Sequence, residues 1–171
     1  MARSEHETIR RMAFVAVFAA LSYVLTAFAA IPYAGGAGYF NFGDIIDLLA
    51  GLALGPLEGS LVGILGGTLS DLTMGYVIYA PWTILAKGLL GAVSGLLYIV
   101  LKKHKIMRFS SVFIGSFLEV CAYVPCYLLY VGTAGLMNSL FDCVQAFGSA
   151  ILVIPLFLLL EKARVFSSLQ G

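Results

Sequence analysis

Charge is scarce in this chain, and most of the positive charge is confined to a few places. Only 11% of the 171 residues are charged while 61% are hydrophobic. That balance excludes an ordinary water-soluble domain, in which about 25% of residues are charged. Histidine is almost missing: His6 and His104 both fall in polar segments expected to lie outside a bilayer. An intramembrane serine hydrolase starting from Ser94-Gly95 would therefore lack its base, and no metal site or enzyme activity is expected. No Gly-x-x-x-x-Gly-Lys-Ser/Thr loop is present, because Lys87 follows Leu85-Ala86 rather than the glycine such a loop requires. The chain is thus expected to bind no cofactor itself, and no nucleic acid is expected as a partner. Cys121, Cys126 and Cys143 all lie in apolar runs and read as buried thiols with no assigned role.

Long apolar runs dominate instead. A bilayer core about 30 Å thick takes roughly 20 helical residues per crossing, and 9–32, 81–101, 109–130 and 139–160 each qualify. The first is too long for the apolar core of a signal peptide and no polar, small-residue cleavage region follows it, so it reads as a retained helix. As one straight helix, Asp44 to Met74 would be about 46 Å long, and Gly55-Pro56 near its middle is a strong break. The expected architecture is all-α: one membrane-embedded domain, 1–171, with six transmembrane helices at approximately 9–32, 44–54, 57–74, 81–101, 109–130 and 139–161.

Arg3, Arg10 and Arg11 sit at the start of the chain, Lys102, Lys103, Lys105 and Arg108 in one connection, and Lys162 and Arg164 at the end. The positive-inside rule puts all three regions, and both termini, on the cytoplasmic side. An even number of crossings must then separate them, which six helices satisfy. The connections 33–43, 75–80 and 131–138 face outward and contain no Lys or Arg. The first of them, Tyr33 to Phe40, is rich in glycine and aromatic residues; it reads equally as a movable lid or as a loop anchored at the headgroups.

Lys87 is the exception to this segregation. Asp44, Asp71, Lys87 and Asp142 belong to four different helices yet fall at a similar depth near the outward side. Ionisable groups are costly inside a membrane and normally face a bundle interior or a wet cavity, so their convergence points to a solute site. Asn41, Asn138 and Gln145 add amides at that level. Glu119 lies deeper, with Tyr123 and Tyr127 at i+4 and i+8 on the same face, running from floor to mouth. Trp82 either stacks on a flat ring or marks the interface. Lys87 either contacts solute or pairs with Asp71 or Glu119; Asp44 either faces the site or caps its helix.

Small residues recur in strips. Gly55, Gly59, Gly63 and Gly67 are spaced by four, and Gly88, Gly91 and Gly95 form a second strip; both are expected to bring helix backbones close together. Ala13, Ala16 and Ala20 form a third strip, which packs either internally or against another protein.

The run Asn41-Phe42-Gly43-Asp44, then Gly55-Pro56, Asp71-Leu72, Gly75-Tyr76, Ala80-Pro81 and Lys87-Gly88-Leu89, resembles the substrate-binding S components of energy-coupling factor transporters. The likeness is to the subgroup for riboflavin, hydroxymethylpyrimidine and pyridoxine, closer before residue 101 than after it. This resemblance implies a multi-pass protein of the bacterial cell membrane that captures a small vitamin. It also implies a transmembrane coupling subunit, two ATPase subunits that hydrolyse ATP, and contact with the coupling subunit through Ala16 and Ala20.

Carboxylates, amides and tyrosines with a single cation suit a neutral or weakly basic heteroaromatic ring bearing hydroxyls, such as pyridoxine or hydroxymethylpyrimidine, better than a polyanion. Asn41, Asp44, Asp71, Trp82, Lys87, Glu119, Tyr123, Asn138, Asp142 and Gln145 are the candidate binding residues. The competing expectation is a stand-alone proton-coupled carrier using Glu119 as its relay.

Overall fold

The computed structural model describes residues 5–33 and 38–166. Arg3, and residues 34–37 of the glycine-rich connection, lie outside the described residues. Six helices follow one another: α1 (Glu5–Phe28), α2 (Gly43–Leu54), α3 (Pro56–Met74), α4 (Ala80–Val100), α5 (Ser110–Tyr130) and α6 (Leu136–Lys162). Between α1 and α2, β1 (Ile31–Tyr33) and β2 (Gly38–Phe40) pair antiparallel, with Ile31 opposite Phe40 and Tyr33 opposite Gly38. This small hairpin corrects the expected first helix of 9–32. Helix α1 starts earlier and ends at Phe28, because the apolar residues after it extend and pair across the hairpin.

Local chemistry sets the other boundaries. Gly55 adopts φ 110°, a backbone state that costs glycine little, and Pro56 occupies the first turn of α3, where its missing N–H is not needed. The chain doubles back there: Ser22 of α1 lies close to both Gly43 at the start of α2 and Gly66 in α3. Gly75 closes α3 in the left-handed conformation, its N–H bonded to the Asp71 carbonyl, and Pro81 lies in the first turn of α4.

The glycine strips bring three backbones together. A β-carbon at Gly59 would lie 2.5 Å from Gly51 Cα, one at Gly95 2.7 Å from the Gly51 carbonyl oxygen, and one at Gly91 would collide with the Gly59 backbone. Beside this node Leu48, Val62, Leu90, Val112, Val153 and Phe157 form the apolar core, with Tyr98 edge-on to Phe157. At the same end Arg11 donates to the Leu54 carbonyl and to Glu58, while Arg108 reaches Tyr98 and Glu161.

Burial is inverted relative to a water-soluble protein. From Met12 to Phe28 every exposed side chain of α1 is apolar, Ala13, Ala16 and Ala20 among them, whereas Asp44, Asp47, Lys87 and Glu119 are buried. The alanine strip therefore does not pack inside this chain. Four helical stretches, Glu5–Phe28, Ala80–Val100, Met107–Tyr130 and Gly132–Lys162, are long and apolar enough to cross a membrane. The 12 residues of α2 reach only about 18 Å.

Candidate functional site

The glycines of α3 place Lys87. A β-carbon at Gly63 would come within 2.8 Å of the Lys87 carbonyl oxygen, and one at Gly67 within 3.0 Å of the Lys87 side chain. Pressed against this strip, α4 directs Lys87 into the bundle, where its ammonium donates to Asp44 Oδ1 and, at 2.5 Å, to Glu119 Oε1. One cation thus ties α2, α4 and α5, and of the two pairings open to it Lys87 makes the one with Glu119 and not that with Asp71. A buried charge is tolerable only when paired in this way.

The network extends to α6 and the hairpin. Asp44 Oδ2 accepts from Gln145 Nε2 at 2.7 Å, and Gln145 Oε1 accepts from the Asn41 N–H at 2.9 Å. Asn41 Oδ1 in turn accepts from the Gly43 N–H at 2.9 Å, satisfying a free donor at the start of α2. Asp47, one turn after Asp44, is fully buried and accepts from Ser22 at 2.7 Å.

Above Lys87 lies an open-mouthed cavity, about 630 Å³ when the solvent-filled space of its mouth is counted. Glu119, Tyr123 and Tyr127 share one wall; Asp142, Gln145 and Ala146 of α6 form another; Asp71, Thr83 and Lys87 line the side made by α3 and α4. Asp71 accepts from Thr83 at 2.5 Å and from the Tyr39 hydroxyl at 3.0 Å, and Tyr127 donates to Asp142 at 2.6 Å. Burial and the neighbouring Asp71 carboxylate push the Tyr39 hydroxyl well above the ordinary phenol range, so it stays a donor. Five tyrosines form a collar. Ring centroids are 5.1 Å apart for Tyr39–Tyr76, 6.1 Å for Tyr76–Tyr79, 6.2 Å for Tyr79–Tyr127 and 6.1 Å for Tyr127–Tyr123.

Of the candidate residues, Asn41, Asp71, Lys87, Glu119, Tyr123, Asp142 and Gln145 line this one cavity. Three do not. Trp82 is half-buried off the wall, because Thr83 takes the inward position and one residue on a helix is a rotation of about 100°. Asp44 sits behind Lys87 and Gln145, fully buried, and serves as their partner rather than as wall. Asn138 is buried one turn before Asp142, outside the cavity lining. Tyr39, Tyr76, Tyr79, Thr83 and Thr26 line the cavity without having been among the candidates. The three tyrosines lie in connections, where helical periodicity carries no signal; Thr83 lies four residues before Lys87 on the same α4 face, a spacing from which it could have been found.

These features define a class: a lipid-flanked helical bundle holding a polar, tyrosine-rimmed solute cavity. A family model described as "ECF-type riboflavin transporter, S component" matches residues 6–162, and the chain belongs to that family. Such S components bind a vitamin in a membrane and work with an energy-coupling module; the family is one of transporter components, not of enzymes. The chain is also 33% identical over 141 residues to a Pyrococcus woesei protein named "Uncharacterized protein in gap 3'region", covering 81% of this chain and 93% of the relative.

Proposed function

We propose that this chain is the substrate-specificity subunit of an energy-coupling factor transporter, and that its cavity captures a small water-soluble vitamin or precursor from outside the cell. In this reading residues 1–171 form one membrane-embedded domain crossing the bilayer six times, with both termini in the cytoplasm. The confinement of Arg11, Arg108 and the exposed lysines of 102–105 to the end opposite the cavity supports that sense. Uptake is driven by ATP hydrolysed in two partner subunits and transmitted by a transmembrane coupling subunit that docks on the exposed Ala16 and Ala20 of α1.

One observation carries the ligand class: the tyrosine collar stands over a floor whose single cation is already held by two carboxylates. Flat faces suit an aromatic ring, and acceptor-rich walls suit hydroxyl or amino substituents. Pyridoxine and hydroxymethylpyrimidine fit this description best. Riboflavin is the second reading, favoured by the description of the matching family.

Mass spectrometry of the small molecule that co-purifies with the protein, followed by calorimetry with all three compounds, tests the reading. Binding of one of them, weakened in Asp71→Ala, is the expected result; no co-purifying solute and no binding by any of the three would overturn it. Vesicles containing this chain alone should bind solute without accumulating it, whereas accumulation driven by a proton gradient would mark a stand-alone carrier.

A further inference from the structure

Positive charge gathers at the end of the bundle opposite the cavity, and its role there does not depend on what the cavity captures. The α4–α5 connection carries Lys102, Lys103, His104 and Lys105, all exposed, and Lys162 and Arg164 at the end of α6 are exposed as well. Arg108 ties the two places together: its guanidinium donates to the Tyr98 hydroxyl at 2.9 Å, reaches Glu161 at 3.5 Å and lies 4.7 Å from the Phe109 ring centroid. Little negative charge balances this corner. No Asp or Glu occurs from residue 72 to 118, and from 143 to 171 Glu161, already engaged by Arg108, stands alone. Glu58, at the same end, is paired with Arg11.

Apolar side chains sit in the middle of this charge. Ile106 is 88% exposed and Met107 56%, directly after Lys105 and before Arg108. The helices that the connection joins expose Leu96, Ile99 and Val100 of α4 and Ile114 and Phe117 of α5, the kind of surface that acyl chains cover around a spanning helix. The lysines therefore stand where that hydrocarbon flank ends, at headgroup level, with apolar neighbours that gain by entering lipid. An acidic protein surface would match the charge but not Ile106 and Met107; an anionic lipid matches both.

We propose that the α4–α5 connection, together with the end of α6, is a binding site for anionic phospholipid. Lys102, Lys103 and Lys105, supported by Lys162 and Arg164, hold the phosphate headgroup, and Ile106 and Met107 pack on the acyl chains. Each cation near such a headgroup layer contributes a factor of about five in affinity for anionic lipid. On the orientation proposed above, the site faces the inner leaflet.

The test is native mass spectrometry of the intact purified chain with equimolar phosphatidylglycerol and phosphatidylcholine of identical acyl chains. Phosphatidylglycerol should bind about tenfold more tightly or better, and the preference should shrink as ionic strength rises. Combining Lys102→Gln, Lys103→Gln and Lys105→Gln should bring the preference close to unity, whereas Ile106→Ser should weaken both lipids alike. Equal binding of the two lipids by the wild-type chain overturns the inference and leaves the patch to an acidic protein partner. Inorganic phosphate that displaces phosphatidylglycerol at comparable concentration also overturns it, since the site would then take any anion without lipid. An unchanged preference in a folded triple variant removes the lysines from the role, and if that variant does not fold the wild-type preference and its salt dependence still decide.

Discussion

The two ends of the bundle are built on opposite principles. At the basic end α2, α3 and α4 meet through Gly51, Gly59, Gly91 and Gly95, and Leu48, Leu90, Val112, Val153 and Phe157 fill the space beside them with almost no exposure. At the cavity end α3 and α4 stay close through Gly63 and Gly67, but α2, α5 and α6 are joined to α4 and to the hairpin by side chains, in the Lys87–Asp44–Glu119 cluster and the Gln145–Asn41 link. Lipid tails supply little hydrophobic drive between helices, so the first end depends on close packing and the second on buried polar bonds. Close packing leaves no group free to bind. Polar bonding between separated helices leaves both a void and spare hydrogen-bonding capacity.

The sharpest way to break this contrast is at Lys87. Replacing it with Met strands Asp44 and Glu119 in the interior and should cost about 3–5 kcal/mol, read as a lower unfolding temperature in detergent; adding Glu119→Gln should recover part of the loss. Stability equal to wild type would show that the cluster does not hold the cavity end together. Next in size, Gly91→Ala pushes a methyl group into the Gly59 backbone and should cost about 2–3 kcal/mol, while the same change at Gly148, where nothing lies within 4 Å, should be nearly neutral in the same unfolding assay. Asp71→Ala leaves Tyr39 and Thr83 without their acceptor; solute affinity should fall about tenfold to a hundredfold, with a smaller loss of thermal stability. Tyr127→Phe removes the hydroxyl that donates to Asp142 and should weaken binding by about fivefold. The smallest effect is reserved for Trp82→Phe, which should leave affinity within about twofold if stacking is supplied by the tyrosine collar; a large loss would return Trp82 to the site.

Legibility in the sequence followed the physics of each element. Gly55-Pro56, Gly75 and Pro81 are local signals with local causes, and the helix ends lie at them. The end of α1 was hidden because residues 29–33 are as apolar as the helix before them, and hydropathy does not distinguish a helical turn from a strand of a small hairpin. Glu119, Tyr123 and Tyr127 could be read as one face because their spacing follows the helical period. Tyr39, Tyr76 and Tyr79 could not, since their positions depend on how two connections fold over the helix ends. Asp44 and Asn138 show a further limit: depth in the bilayer is readable from position along a helix, but whether a group forms the wall or stands behind it depends on the neighbours that cover it.

The concealment of the polar groups has a mechanical consequence. Along α1 the exposed positions from Met12 onward are hydrocarbon only, and the exposed large apolar side chains of α4, α5 and α6 continue that coat around the body. A body upholstered in this way can change its tilt against the bilayer normal without dragging an ionic group through the acyl chains. On the capture reading proposed above, a bound solute would stay shielded by the protein itself during such a tilt, and only the basic fringe and the small hairpin would meet a changed surrounding.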